Sequence, residues 1–213
     1  MSASLRSEGI LTEKLHALDL RPLPRQELPA EMQAYFAKCE ERLGLLPNVL
    51  QSYSFDADKL QAFTLFYNNI MLAPSGLTKL EREMIATVVA SCLHCVYCVT
   101  AHGAAVRALS GDPAFGEILA INYRQLDLPV RHRAMLDFAA HLTECPDQVG
   151  APERAALRAA GWADRDIWDI AATAALFNMT TRLAIAVDMQ PNLAYHGMAR
   201  GASPVGRDGV AGT

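Results

Sequence analysis

The sequence predicts an all-α protein built as a single domain. Several segments carry apolar residues at helical spacing, and no segment shows the strict apolar/polar alternation of a half-buried strand. Proline and glycine separate these segments, as in Pro74-Ser75-Gly76. The 213 residues are enough for one substantial core, and 51% hydrophobic with 20% charged residues is an ordinary globular composition.

Three regions are expected along the chain. Residues 1–28 form an extended arm, because Pro22 and Pro24 remove backbone donors and disfavour helix in the residues before them. Residues 29–190 form the helical domain. Residues 191–213 are a tail that is rich in Gly and Ala, has little to bury, and frays or docks on a partner.

The first half of the domain divides into helices at clear signals. Pro29 suits the first turn of a helix that runs to Gly44. Pro47 then forces a turn, and a short helix follows through Tyr53. Asp56 caps the next helix, which ends before Pro74.

The next helix begins with a capping box, Thr78 and Glu81, and carries Glu83 near its start. An unbroken helix would place Glu83 about 18 Å from Cys95 along the axis. If Glu83 is to meet the cysteines, the chain must break around residues 91–94, where Ser91 could cap a second helix.

Four more helices complete the domain. A short one follows Pro113 and runs to about Ile121, and another covers residues 131–144. Pro152 opens a short helix that ends at Gly161. Asp164 caps the last long helix, through Val187.

Charge and hydropathy exclude several classes of function. The net charge of −4 and the lack of a Lys/Arg cluster argue against nucleic-acid binding. No apolar run approaches twenty residues, and the N-terminus is polar, so neither a membrane span nor a signal peptide is expected. An odd number of cysteines, five, suits a reducing compartment, and we expect a cytoplasmic protein.

The segment 83–102 carries the candidate chemistry. Read as a helix, Cys95, Cys98 and His102 fall within an arc of about 60°. The spacing brings Cys95 and Cys98 within the range of a disulfide, and His102 lies one turn beyond Cys98. Two thiols that can close next to an imidazole indicate a redox site.

The same residues predict a reaction. A thiolate attacks a hydroperoxide, expels an alcohol and becomes a sulfenic acid, which a second thiol condenses to a disulfide. We assign the attack to Cys98, because His102 is close to it, and the resolving role to Cys95. The opposite order stays open, since Cys95 can lie nearer the positive end of the helix. Glu83 would hold the tautomer of His102 and pass protons.

The same residues also allow other interpretations. Cysteine is often a small core residue. Cys92 extends the pattern to C-x2-C-x2-C, which allows a zinc or iron–sulfur site, although Cys39 and Cys145 offer no fourth ligand at a recognisable spacing. A non-enzymatic redox sensor or metal-binding oligomer is therefore an alternative, and Glu83 alone could be a solvated acid of the first helical turn.

The pattern Glu83-x11-Cys95-x2-Cys98-x3-His102 resembles the motif of the AhpD-like alkylhydroperoxidases within the carboxymuconolactone decarboxylase superfamily. The flanking segments are similar to its peroxidase-related branch, over roughly residues 30–196. They are Leu46-Pro47-Asn48-Val49, Glu81-Arg82-Glu83-Met84-Ile85-Ala86, Leu136-Asp137-Phe138-Ala139 with Leu142-Thr143, Ala159-Ala160-Gly161-Trp162, and Phe177-Asn178 with Arg182.

The resemblance implies an AhpD-like helical bundle that assembles as a homo-oligomer, commonly a trimer or hexamer. It implies a thiol peroxidase that acts on hydroperoxides, with Cys98 as the peroxidatic cysteine, Cys95 as its partner, and His102 and Glu83 as the proton relay. It calls for a dithiol reductant of unknown identity and no cofactor or metal. Some superfamily members are decarboxylase-like enzymes, but those lack the cysteine pair.

Two positions differ from the family pattern. Tyr97 stands where AhpD has a further histidine, and a tyrosine is a poor base at neutral pH. Thr181 precedes Arg182 at a position where the branch often has asparagine. Asn178 and Arg182 lie four residues apart on the last helix, where they either tie elements together or contact substrate.

Overall fold

A computed structural model describes residues 14–201 of the chain. Within this range the fold consists of helices and connecting turns, and no strand is present, which confirms the predicted all-α class. None of the helices in these residues is both long and apolar enough to cross a membrane. The ten α-helices are α1 Ala30–Leu43, α2 Asn48–Tyr53, α3 Ala57–Leu72, α4 Lys79–Cys92, α5 Val96–Ser110, α6 Pro113–Asn122, α7 Val130–Glu144, α8 Ala151–Ala159, α9 Asp164–Ala186 and α10 Ala194–Gly197.

Local sequence explains where most helices begin and end. Gly44 ends α1 in the left-handed conformation, with φ of 71°, which glycine adopts without strain. The Asp56 carboxylate accepts the backbone N–H of Lys59 and caps α3. Thr78 and Glu81 form the predicted capping box of α4. The last long helix starts one residue earlier than predicted, since its N-cap is Ala163.

The core is organised around α4. Nine of its residues are buried, and α5, α7 and α9 pack against it. A helix that is apolar on nearly all sides must be surrounded by other elements. The largest side chains that fill this core include Met84, Ile85, Met135, Leu136, Trp162, Ile170, Leu176 and Phe177. Because α4 and α5 are neighbours, residues on both helices can form one site.

A second apolar cluster joins α1, α2 and α3, and the N-terminal arm contributes to it through Leu28. Between residues 14 and 28 the arm has no α-helix, and a short 3-10 turn covers Arg25–Glu27. Its backbone bonds to the domain: the N–H of Leu23 donates to Ser54 and that of Gln190 donates to Leu15. The first part of the predicted extended arm, residues 1–13, lies outside the described residues.

The start of the tail is docked on the domain. The buried guanidinium of Arg107, on α5, donates to the carbonyls of Tyr195 and Met198. Arg200 forms an ion pair with Glu117 of α6 at 2.8 Å. These contacts hold α10 against the domain, and they bring two side chains of the tail to the site described next.

Candidate active site

The break between α4 and α5 brings the candidate residues together. α4 ends at Cys92, and α5 begins at Val96 after a turn in which His94 has φ of 55°. The N–H of His94 donates to Ser91, and that of Cys95 donates to Ala90. The break is therefore where the sequence required it, although the turn uses a histidine in the left-handed region instead of a glycine.

His94 offers a test of this turn. A β-branched residue at positive φ is strained, so we expect His94→Val to lower the free energy of unfolding by about 1–2 kcal/mol. His94 is exposed, so lost packing contributes little. His94→Asn is the control, because asparagine tolerates this conformation. Urea denaturation measures both variants, and equal stability of the Val variant and the parent would contradict a strained turn.

Cys95 is the N-cap of α5, which differs from the prediction of a helical turn through this residue. Its backbone is extended, and its sulfur accepts the N–H of Cys98 at 3.3 Å. Ser91 does not cap the second helix, since its hydroxyl donates to the carbonyl of Ala120. The two thiols still lie side by side, and all five cysteines are free.

The two thiols differ in acidity. The interaction between the two thiols lowers the pKa of Cys95 to about 7, together with the backbone N–H of Cys98, which donates to the Cys95 sulfur, and the nearby His102. The same interaction and burial raise the pKa of Cys98. The helix N-terminus thus holds the first negative charge of the pair on Cys95.

This acidity predicts the pH dependence of thiol reactivity. Only the thiolate is alkylated, so the rate of iodoacetamide modification of the pair rises with pH. We expect half of the maximal rate at a pH of about 7, the value to which the pKa of Cys95 is lowered. Mass spectrometry of the modified peptide measures the rate. In Cys95→Ser this midpoint disappears, and its persistence there would assign the acidic thiol to another residue.

Glu83 and His102 form a pair across α4 and α5. Nδ1 of His102 lies 2.7 Å from Oε2 of Glu83, and both side chains are 14% exposed. The edge of the imidazole packs on Phe177 of α9, with ring centroids 4.5 Å apart. A carboxylate that accepts the Nδ1 proton leaves Nε2 as the basic nitrogen. The pair can therefore hold and transfer a proton.

A cavity of about 220 Å³ lies beside this pair. Glu83, Cys98 and His102 line it, whereas Cys95 is not among its lining residues. Its surface is mostly apolar, and no Lys or Arg of the described residues lines it. Five of the six tyrosines of the chain contribute: Tyr35, Tyr53, Tyr67, Tyr97 and Tyr195. A small aromatic or branched apolar molecule can approach Cys98 here.

Tyr97 has a structural contact in place of a proton-carrying role. Its hydroxyl accepts the N–H of Val49 at 3.0 Å, which ties α5 to α2. Burial raises its pKa well above the ordinary value of a tyrosine. The position where AhpD has a histidine therefore joins two elements here.

The other polar candidates lie away from the cavity. Asn178 donates to Thr143 on α7 at 2.9 Å, and the exposed Arg182 donates to Asn178. This pair therefore ties α9 to α7. Burial and a hydrogen bond with Glu144 raise the pKa of Cys92. No group of three or more His, Cys, Asp or Glu side chains within residues 14–201 is arranged to hold a metal ion.

Sequence reasoning missed several residues of the site. Cys39 on α1 lines the cavity, as do Tyr195 and Met198 of the tail. Thr180 lines it from α9, and its buried Oγ1 has no hydrogen-bond partner among the described residues. Residues so far apart in the chain leave no common spacing that would reveal them.

Comparisons with known proteins show the family of the chain. The model of the carboxymuconolactone decarboxylase family matches residues 57–121. A solved structure of an uncharacterized peroxidase-related protein from Silicibacter sp. TM1040 is 52% identical and has a TM-score of 0.84, covering 91% of this chain and 100% of that one. The comparison with curated proteins gives no match.

Two further solved structures are similar. A peroxidase-related protein from Ralstonia eutropha JMP134, described as an alkylhydroperoxidase AhpD core, is 33% identical with a TM-score of 0.84, covering 90% of this chain and 100% of that one. The debrominase Bmp8, in complex with 2,3,4-tribromopyrrole, is 20% identical with a TM-score of 0.73, covering 85% of this chain and 95% of that one. The second likeness shows a shared fold only. The chain belongs to the AhpD-like group of the carboxymuconolactone decarboxylase superfamily, in its peroxidase-related branch.

Proposed function

We propose that the protein is a thiol peroxidase that reduces organic hydroperoxides through a Cys95/Cys98 thiol–disulfide cycle, with His102 and Glu83 as the proton relay. The observation that carries this proposal is that Cys98, His102 and Glu83 all line one mostly apolar cavity. Cys95 supports it, because its sulfur is hydrogen-bonded to Cys98 and can close the disulfide.

Acidity and access favour different sulfurs as the nucleophile. Cys95 is the more acidic thiol, while Cys98 is the one that faces the cavity. We assign the attack to Cys98, because the peroxide oxygen must reach the sulfur to form a bond. Since the two thiols interact directly, one proton shift within the pair moves the negative charge to Cys98.

The steps balance with the residues present. The imidazole of His102 first takes the proton of the thiol pair at Nε2. The Cys98 thiolate then attacks the terminal oxygen of ROOH, the O–O bond breaks, and the alkoxide leaves and takes that proton from His102. Cys95 then attacks the Cys98 sulfenic acid, and water leaves as the disulfide forms. Glu83 holds the imidazole through Nδ1 during both proton transfers. An external dithiol, whose identity is open, returns both cysteines to thiols by disulfide exchange.

A single-turnover experiment tests this proposal. Reduced protein freed of external thiols is mixed with excess cumene hydroperoxide, and the alcohol formed is measured by chromatography. We expect one equivalent of alcohol per chain, followed by continuous turnover once dithiothreitol is added. No burst without the dithiol and no turnover with it would refute a thiol peroxidase.

The cavity also predicts charge selection among hydroperoxides. An anionic substrate would lose its hydration near Glu83 and meet no Lys or Arg side chain on the described lining. We expect the kcat/KM of a cumene hydroperoxide with a para-carboxylate to be at least roughly tenfold below that of its methyl ester. The ester controls for size, and equal values for both compounds would contradict an uncompensated apolar cavity.

A second candidate is reductive dehalogenation of a small aromatic compound. The aromatic lining beside Cys98 favours it, and the similar fold of Bmp8 belongs to a debrominase. Two thiols and an aryl bromide would give the arene, a disulfide and hydrogen bromide. Bromide release from tribromopyrrole, measured against cumene hydroperoxide turnover, separates the two activities.

The assembly is also part of the proposal. Leu65 on α3 and Trp168 on α9 are each 72% exposed, and α3 and α9 are neighbours. Large apolar side chains exposed on adjacent helices suit a contact between subunits. We propose that the protein forms a homo-oligomer, a trimer or hexamer. Sedimentation equilibrium would measure its mass.

A further inference from the structure

A buried hydroxyl without a partner lies beside the thiol pair. Thr181 on α9 is fully buried, and no hydrogen bond of normal geometry reaches its Oγ1 from residues 14–201. Folded proteins almost always satisfy such groups, so an exception calls for an explanation in the chemistry of the site. The hydroxyl of a threonine in a helix can donate to a backbone carbonyl of the preceding turn. Thr173 on α9 does so, since it donates to the carbonyl of Asp169.

The position of Thr181 on α9 places it at the thiols. Phe177, Thr181 and Ala184 follow one another at helical spacing and share one face of α9. Phe177 contacts the His102 ring, and Ala184 packs in the same buried cluster as Cys98. Thr181 lies between these two contacts and is close enough to Cys98 to lower the pKa of that thiol.

We propose that Thr181 is a catalytic residue whose hydroxyl donates a hydrogen bond to the Cys98 sulfur when the negative charge of the thiol pair moves there. This inference rests on the proposed thiol cycle and names the group that directs its nucleophile. In the resting pair the Cys98 proton points to Cys95, so the hydroxyl has no charged acceptor. Transfer of that proton to Cys95 creates the acceptor, and no other proton or electron is consumed.

Among the groups around the pair, Thr181 is the hydroxyl that acts on Cys98, whereas the unpartnered hydroxyl of Thr180 lines the cavity without lowering the pKa of that thiol. From α5, Tyr97 is engaged with Val49, and His102 is held by Glu83 of α4. The Thr181 hydroxyl lowers the pKa of Cys98, whereas Cys95 and burial raise it. Without this donor the charge would stay on Cys95, which does not line the cavity.

The test measures the acidity of Cys98 directly. In a Cys95→Ser background, the rate of iodoacetamide modification of Cys98 is followed against pH by mass spectrometry. We expect Thr181→Val to raise the pH of half-maximal Cys98 modification, the midpoint, by about one unit. The rate of modification near neutral pH is then roughly tenfold lower. Thr181→Ser restores the parent midpoint, because it keeps the hydroxyl. Thr173→Val, a buried threonine on the same helix, leaves the midpoint unchanged.

Thermal unfolding separates this role from a structural one. Thr181→Val removes an unsatisfied buried hydroxyl, so we expect its Tm to be equal to or higher than that of the parent. A lower Tm with an unchanged midpoint would overturn the inference in favour of packing, and so would an unchanged midpoint alone. If the Val variant does not fold, Thr181→Ala carries the same predicted shift.

The outcome is independent of peroxidase activity. Alkylation requires no hydroperoxide, so a shifted midpoint in a protein that consumes none would support the role of Thr181 and refute the proposed function. An unshifted midpoint in an active peroxidase would refute the role of Thr181 and support the proposed function.

Discussion

The Cys98→Ser variant is expected to lose hydroperoxide reduction by more than roughly a thousandfold, because the hydroxyl of serine is not ionised at neutral pH and cannot attack the peroxide oxygen. Cys98 is the thiol that lines the cavity, and Cys95 is not among the lining residues. The measurement is the consumption of cumene hydroperoxide with dithiothreitol as donor.

Two further variants are compared with Cys98→Ser. Cys145→Ser is the matched control, because Cys145 is a half-buried free thiol that does not line the cavity, and we expect its activity to stay within about twofold of the parent. Cys95→Ser should still form one equivalent of alcohol while multiple turnover slows, since the sulfenic acid then has no neighbouring thiol. Undiminished activity in Cys98→Ser would exclude the thiol cycle.

The Glu83→Gln variant is expected to lower kcat by about a hundredfold, the ordinary contribution of general acid–base catalysis. A glutamine amide at this position can donate to Nδ1 of His102, which places the remaining imidazole proton on Nε2 and removes the basic nitrogen from the cavity. Steady-state kinetics with saturating hydroperoxide measure the loss.

A surface carboxylate provides the comparison for this variant. Glu41→Gln lies on the exposed side of α1 and removes the same charge, so we expect no change in kcat. Thermal unfolding of Glu83→Gln shows whether the helix pair is intact. Full activity in an intact Glu83→Gln protein would mean that the carboxylate only anchors the imidazole and takes no part in proton transfer.

Much of the helical scaffold could be predicted from local signals. Proline at helix starts, glycine at Gly44 and the capping box of Thr78 act within one turn of the chain, so they can be seen in the sequence. The break after α4 could be expected only from the need to bring Glu83 to the thiols. Its turn uses His94 at positive φ, a conformation that is unusual for a histidine and carries no sequence signal.

The site itself was predictable in its motif and not in its surroundings. Glu83, Cys98 and His102 were assigned together, and the structure brings them to one cavity. Cysteine is not a usual N-cap residue, so the role of Cys95 at the start of α5 could not be foreseen. The tyrosines of the lining come from four separate helices and the tail, and Thr181 stands between Thr180 and Arg182 in the sequence, where nothing marks it as a buried residue beside the thiols.

The most direct test of the thiol cycle is mass spectrometry of the reduced protein after one equivalent of cumene hydroperoxide, with free thiols blocked at low pH. The account predicts a peptide in which Cys95 and Cys98 are linked, with Cys39, Cys92 and Cys145 carrying the blocking group. A product in which Cys95 and Cys98 are both still free, or in which Cys98 is linked to a different cysteine, would contradict it.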